Sequence, residues 1–252
     1  MTALGSAPAW LARSVRNDMR SAVLARWGFR HETWIVERPD GGRVVVQRRA
    51  DGSDPTLAPH PAIREAVRGT GVPVPEPVLV GSVAEGVVVT LPFVAGTVAA
   101  DLFGDERGAE MAGWACGAAM ARLRGIEAAG LALPGDSTTA GVFAHGDLAP
   151  VNVLVHGGRV TAVLDLDRAR LAEPDYDAAW FAWVVSAHHP GLAADAWRGF
   201  TEAAGLDGRS IDDVAWLWPH QLLERAREAR DEGERDRWRN RAAAAQEGRA
   251  RA

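Results

Sequence analysis

One segment constrains this chain more than any other: His145-Gly146-Asp147-Leu148-Ala149-Pro150-Val151-Asn152, followed by Val163-Leu164-Asp165. Its oxygen-bearing side chains Asp147, Asn152 and Asp165 are separated by five and then thirteen positions. The apolar runs between Asn152 and Asp165 predict a β-hairpin with oxygen ligands at both ends. Such ligands suit Mg²⁺ and the phosphates that it bridges, and a loop aspartate can accept the proton of a hydroxyl group.

The segment resembles the catalytic loop of the aminoglycoside phosphotransferase and choline kinase-like enzymes. These enzymes are relatives of the protein kinases and carry His-Gly-Asp where kinases carry His-Arg-Asp. The resemblance implies that Asp147 is the catalytic base and that His145 supports the loop. It further implies that Asn152 and Asp165 hold Mg²⁺.

A second motif follows in the order that this family shows. Glu173-Pro174-Asp175-Tyr176-Asp177 resembles a family segment whose second aspartate, here Asp177, braces the catalytic loop. The resemblance implies an α+β, bilobal, protein-kinase-like fold: an N-lobe at 1–92 with an antiparallel sheet and helix C, a hinge at 93–97, and a mainly helical C-lobe at 98–252. The alternative is that these acids only cap turns and helices.

Periodicity outlines the N-terminal part. Apolar residues at helical spacing predict a single helix across residues 10–27. Residues 33–37 and 43–46, separated by Pro39-Asp40-Gly41-Gly42, predict a hairpin. Residues 28–33 occupy the place of the kinase phosphate loop, but they contain one glycine where kinases have three.

The resemblance places nucleotide contacts in the same part of the chain. No lysine occurs, so an arginine must supply the cation that touches the phosphates. Gap-free counting points to Gln47, whereas the chemistry favours Arg48, and strand alternation allows only one of them to face the nucleotide. Glu65, on a short predicted helix, matches the acid that pairs with this cation. Backbone contacts to the adenine are implied for three residues: Pro92, Phe93 and Val94.

The remaining sequence predicts helices at residues 107–126, 178–188, 193–204 and 211–230. Members of the family commonly insert a helical pair before the catalytic loop, and here only residues 127–144 are present. Contacts to an acceptor are therefore expected from the segment after Asp177. Helix acids that a cationic acceptor would favour, although such acids are usually solvated, are Glu202, Asp212, Asp213, Glu224 and Glu228.

Composition limits the class of protein. With 252 residues, 47% of them hydrophobic, the chain can bury a sizeable core. A net charge of −5 gives no general attraction to nucleic acid, and no stretch is apolar enough to span a bilayer. The single cysteine, Cys116, precludes an intrachain disulfide, so we expect a cytoplasmic protein without a nucleic-acid or membrane partner.

The sequence therefore predicts a small-molecule kinase with Mg²⁺ as cofactor and ATP or GTP as co-substrate. Its partner is expected to be a small hydroxylated acceptor, preferably an aminoglycoside-type or other antibiotic. Two alternatives remain open: a kinase of a sugar, choline or homoserine type of metabolite, and a nucleotide-binding pseudokinase or ligand sensor without transfer activity. The absent lysine and the reduced glycine loop favour the second alternative.

Overall fold

The computed structural model describes residues 7–15, 18–27, 31–49, 61–68, 70–83, 86–126 and 141–250. Half of the expected phosphate loop, at 28–30, lies outside the described residues. So do the connection at 50–60 and most of the segment that precedes the catalytic loop, at 127–140.

A five-stranded antiparallel sheet with the strand order β1-β2-β3-β5-β4 forms the N-terminal lobe. Its helices and strands are α1 (Ala9–Ser14), β1 (Ser21–Leu24), β2 (His31–Glu37), β3 (Arg43–Arg49), α2 (Pro61–Val67), β4 (Leu79–Val83) and β5 (Gly86–Pro92). The predicted hairpin is confirmed as β2–β3, and the predicted short helix is confirmed as α2.

The single N-terminal helix predicted across residues 10–27 is wrong. The helix α1 ends at Ser14, and residues 21–24 form β1, which pairs with β2 from Ser21↔Glu37 to Leu24↔Trp34. The helical spacing of apolar residues was misleading, because backbone hydrogen bonds to a neighbouring strand outweigh a local preference of a few tenths of a kcal/mol, about the scale of helix propensities.

The two faces of the sheet have different surroundings. One face packs against α1 and forms a small apolar core of Trp10, Leu11, Trp34, Val44, Val46 and Val88. Register places Thr33 opposite Gln47, and strand alternation puts His31 on the same side of β2, so these three side chains share the other face. That other face is turned toward the C-terminal lobe, since His31 Nε2 lies 3.6 Å from Asp167 Oδ2.

The C-terminal lobe is mainly helical and contains two small antiparallel sheets, β6-β8-β9 and β10-β7. Its strands are β6 (Thr97–Val98), β7 (Val142–Ala144), β8 (Val153–His156), β9 (Arg159–Val163) and β10 (Arg170–Ala172). Its α-helices are α3 (Glu106–Arg124), α4 (Tyr176–His188), α5 (Ala193–Ala204), α6 (Trp218–Arg227) and α7 (Glu232–Ala250). The β8–β9 hairpin predicted between Asn152 and Asp165 is confirmed.

The central helix α3 organises the larger core. Its face formed by Ala112, Cys116, Met120 and Leu123 is buried against the remaining helices and the catalytic segment. The predicted helices match α3, α4 and α5 within two residues at each end. The helix predicted at residues 211–230 begins too early, because α6 starts at Trp218 with Pro219 in its first turn.

None of the helices in the described part of the chain combines the length and the apolar character that a bilayer crossing requires.

Candidate active site

One buried carboxylate anchors the loop between β7 and β8 through backbone hydrogen bonds. Asp177, in the first turn of α4, accepts hydrogen bonds from the backbone N–H groups of His145 at 2.7 Å and Gly146 at 2.9 Å. Burial raises the pKa of Asp177, and the two backbone N–H donors oppose that rise. Asp177 therefore fixes the position of the backbone at the start of the loop that carries Asp147.

His145 is fully buried and ties this loop to the end of β9. Its Nε2 lies 2.8 Å from the carbonyl oxygen of Leu164, and its Nδ1 lies 3.2 Å from the backbone nitrogen of Asp147. A carbonyl can only accept and a backbone N–H can only donate, so Nε2 carries the proton and Nδ1 accepts. These two hydrogen bonds join the ring to the backbone of Leu164 on one side and of Asp147 on the other.

Gly146 allows the loop to pass another backbone at short distance. Its φ is +76°, and an added Cβ would lie 2.1 Å from the carbonyl oxygen of Arg168. Both the left-handed conformation and the missing side chain are required at this position. The result is that Asp147 lies beside the segment that follows Asp165.

Asn152 and Asp165 are joined through the backbone of the β8–β9 hairpin. The side-chain Nδ2 of Asn152 donates to the carbonyl oxygen of Asp147 at 2.9 Å. The backbone N–H of Leu164 donates to the carbonyl oxygen of Asn152 at 2.8 Å, so Asp165 follows directly beside Asn152. With Nδ2 engaged by the loop, Oδ1 of Asn152 is the atom suited to a cation.

The backbone of Asp165 adopts a rare conformation. With φ of 57° and ψ of 63°, it is the one non-glycine residue with positive φ among the residues that the structure describes. Such a conformation persists only where its surroundings enforce it, and it is concentrated at functional sites. Ligand atoms of His31, Asp165 and Asp167 converge here, all within 4.8 Å of one another.

Two arginines contact the carboxylate of Asp147. Arg225, on α6, donates from Nη2 to Asp147 Oδ1 at 3.0 Å and to the carbonyl oxygen of Gly146 at 2.7 Å. Arg168 Nε lies 3.9 Å from Asp147 Oδ2. The proposed base therefore lies in a cationic environment that the sequence analysis did not anticipate.

The family of the chain follows from a comparison of its sequence with family models. The model of the phosphotransferase enzyme family, APH, matches residues 21–141 and 135–211, which together include the whole loop and its supports. The chain belongs to this phosphotransferase family. Among curated proteins, none matches the chain significantly.

Solved structures of similar fold are antibiotic phosphotransferases. Macrolide 2'-phosphotransferase MphH from Brachybacterium faecium is 18% identical, with a TM-score of 0.55 over 94% of this chain and 97% of that one. The GDP complex of an aminoglycoside 2'-phosphotransferase-IIIa mutant is 15% identical, with a TM-score of 0.62 and coverages of 95% and 96%. A mutant of APH(4)-Ia in complex with ADP and hygromycin B is 16% identical, with a TM-score of 0.54 and coverages of 94% and 96%. The α+β protein-kinase-like fold is thereby confirmed.

In this phosphotransferase the strand cation is not where we expected it. Arg48 pairs with Glu32 at 2.8 Å, and its guanidinium carbon lies 5.0 Å from the ring centre of Trp10, on the sheet face that packs against α1. Gln47 lies on the opposite face, which it shares with His31, and donates to Thr33 Oγ1 at 3.2 Å. Strand alternation thus brings Gln47, and not Arg48, to the side of the cleft.

The other residues that we expected at the nucleotide are Glu65 and the hinge residues. Glu65 has a side chain 73% exposed and pairs with Arg68 at 2.7 Å, so the structure does not bring it to Arg48. Of the expected hinge residues, Pro92 is the last residue of β5, and Phe93 and Val94 follow it. The guanidinium carbon of Arg43 lies 3.8 Å from the ring centre of Phe93.

The donor set of the phosphotransferase fits Mg²⁺. The amide oxygen of Asn152 and the carboxylates of Asp165 and Asp167 are the hard oxygen ligands that this ion prefers. Asp167 was not among the ligands predicted from the sequence, although its position two residues after Asp165 was a usable signal. Arg225 was not predicted either, because 78 positions separate it from Asp147 and no sequence pattern links the two.

Three of the five acids that we expected to face an acceptor have partners within the protein. Glu224 accepts from Arg170 Nη1 at 3.2 Å and from the Tyr176 hydroxyl. Glu228 pairs with Arg168 and lies 3.7 Å from Arg170 Nη2. Asp213 accepts from Ser210, whereas Glu202 and Asp212 are simply exposed.

Proposed function

We propose that this protein is a small-molecule kinase that transfers the γ-phosphoryl group of ATP or GTP to a hydroxyl group of a small acceptor, an aminoglycoside-type or other antibiotic. The observation that supports the proposal best is the braced loop: Asp177 and His145 hold Asp147 next to Asn152 and the strained Asp165. Residues 93–97 are the proposed hinge between an N-terminal part, 1–92, and a C-terminal part, 98–252.

In the proposed reaction Asp147 orients the acceptor hydroxyl and accepts its proton. The hydroxyl oxygen forms a bond to the γ-phosphorus, the bond between that phosphorus and the β–γ bridging oxygen breaks, and the nucleoside diphosphate leaves with that oxygen. Mg²⁺, held by Asn152 and Asp165, would neutralise charge on the phosphates. Because the transition state is loose, positioning and nearby charge contribute more than the basicity of Asp147.

A direct test is a mass-spectrometric screen for one added phosphoryl group, with ATP and GTP supplied separately. The acceptors should include aminoglycosides, macrolides and metabolites such as choline, homoserine and simple sugars. Macrolides matter because Glu224 and Glu228 are already paired with arginines, so a polycationic acceptor would have to displace an arginine from a close ion pair. Transfer to any of these molecules supports the proposal, and the preferred acceptor decides between antibiotic and metabolite.

The placement of Arg48 favours a second candidate, a nucleotide-binding sensor without transfer activity. A kinase needs a cation on the phosphates, and Arg48 lies against Trp10 on the far face of the sheet. Mg²⁺-dependent binding of nucleotide without transfer to any acceptor, and without release of phosphate, would favour the sensor.

A further inference from the structure

Arg225 is a buried charged residue that contacts the proposed base but has no part in the reaction proposed above. It extends from α6 and is 5% exposed. A single nitrogen, Nη2, donates to the carbonyl oxygen of Gly146 and to Oδ1 of Asp147, at 2.7 Å and 3.0 Å. Arg225 therefore contacts both the backbone and the side chain of the loop.

The surroundings of the guanidinium group hold it in place. Its central carbon lies 4.1 Å from the ring centre of Trp180, a cation–π contact at a buried position. Burial lowers the pKa of Arg225, and the charge of Asp147 opposes that effect. A buried guanidinium that has both a carboxylate and a carbonyl acceptor is held far more firmly than an exposed one.

The C-terminal helix α7 also packs against Trp180. The ring centre of Trp238, on α7, lies 6.3 Å from that of Trp180 and 5.7 Å from that of Trp183. Ala242, one turn further along α7, is buried in the same cluster. The packing thus continues from α7 through the tryptophans to Arg225 and the catalytic loop.

We propose that Arg225 is a positioning residue for phosphoryl transfer: it binds Oδ1 of Asp147 and the carbonyl oxygen of Gly146, and so fixes the orientation of the carboxylate whose Oδ2 lies 3.9 Å from Arg168 Nε. This proposal rests on the proposed function, since it presumes that Asp147 receives the hydroxyl proton. A carboxylate with one oxygen held cannot rotate about its last side-chain bond without losing a charge-assisted hydrogen bond. The hydroxyl therefore meets Asp147 in one orientation, which is the condition for an efficient near-attack geometry.

The main experiment compares steady-state kinetics of three variants with the wild-type protein, on the acceptor that the screen identifies. Arg225→Met removes the charge and keeps an unbranched apolar side chain over Trp180. We expect kcat to fall by about 100-fold, the loss typical of a reacting group displaced by about 1 Å, with little change in KM for nucleotide. Arg225→Lys keeps the charge without the planar fork and should lose less. Arg227→Met, on the exposed side of the same helix, is the matched control and should retain full activity.

Chemical rescue distinguishes positioning from general damage to the fold. In Arg225→Ala, millimolar guanidinium chloride should restore part of kcat by occupying the space over Trp180. Sodium chloride at equal ionic strength should not. A merely structural role for Arg225 would predict no such recovery. Either absence of recovery in Arg225→Ala or an unaltered kcat in Arg225→Met would overturn the proposal.

One readout is independent of turnover. A double-mutant cycle with Arg225→Met and Asp147→Asn, measured by urea unfolding, should show non-additive losses of stability, because the two side chains contact each other. Additive losses would show that the contact is absent and would reject the role of Arg225. A wild-type protein that transfers phosphate to no acceptor would refute the proposed function itself. Loss of kcat confined to Arg225→Met and Arg225→Lys supports both the proposed function and the positioning role of Arg225.

Discussion

Replacement of Gly146 by alanine tests whether the loop depends on the close approach of two backbones. An added Cβ would lie 2.1 Å from the carbonyl oxygen and 2.8 Å from the carbonyl carbon of Arg168. Neither atom belongs to a flexible side chain, so the backbone itself must move. The N–H of Gly146, which donates to Asp177, would move with it.

The expected cost of Gly146→Ala has two parts. An L-residue in the left-handed conformation costs about 1–2 kcal/mol. Forcing extra volume into a packed site costs about 1–3 kcal/mol more. The sum is a loss of about 2–5 kcal/mol in the free energy of unfolding.

Gly158→Ala is a matched control that carries only the cost of the left-handed conformation. Gly158 also has a positive φ, +71°, but an added Cβ there would meet nothing within 4 Å. Urea unfolding of both variants, with the slope m compared to verify two-state behaviour, should show the larger loss for Gly146→Ala. Equal losses in the two variants would refute the claim that the contact with Arg168 demands glycine.

Three further predictions concern the carboxylates. Asp147→Ala should abolish transfer without unfolding the protein, although the urea midpoint should fall because the buried Arg225 loses its carboxylate partner; an unchanged turnover rate would remove the assignment of the base. Asp165→Ala should lose the Mg²⁺-dependent part of the thermal stabilisation by nucleotide, measured as the difference in Tm with and without Mg²⁺. Asp177→Asn offers a single acceptor oxygen to the N–H groups of His145 and Gly146, so it should cost about 1–3 kcal/mol for the unsatisfied donor and reduce kcat; a stable, fully active variant would contradict the bracing role.

The fold class could be predicted because its signals are local. The β8–β9 hairpin and the helices α3, α4 and α5 follow from apolar periodicity and from glycine and proline at their ends. The spacing of Asp147, Asn152 and Asp165 likewise depends on a short continuous segment. The secondary-structure prediction was wrong where contacts between distant segments determine the structure. The apolar spacing of residues 21–24 suited a helix, but these residues form β1 because β2 offers them backbone hydrogen bonds.

The sequence by itself determined the family, the order of the catalytic elements and the residue types that can bind Mg²⁺ and phosphate. Tertiary structure alone decided which face of β3 meets the cleft, and it turned Arg48 toward Trp10. It also placed Arg225 against Asp147 and supplied Glu224 and Glu228 with arginine partners. The physical reason is that periodicity and turn chemistry act between near neighbours, whereas ion pairs and sheet faces depend on how distant segments pack.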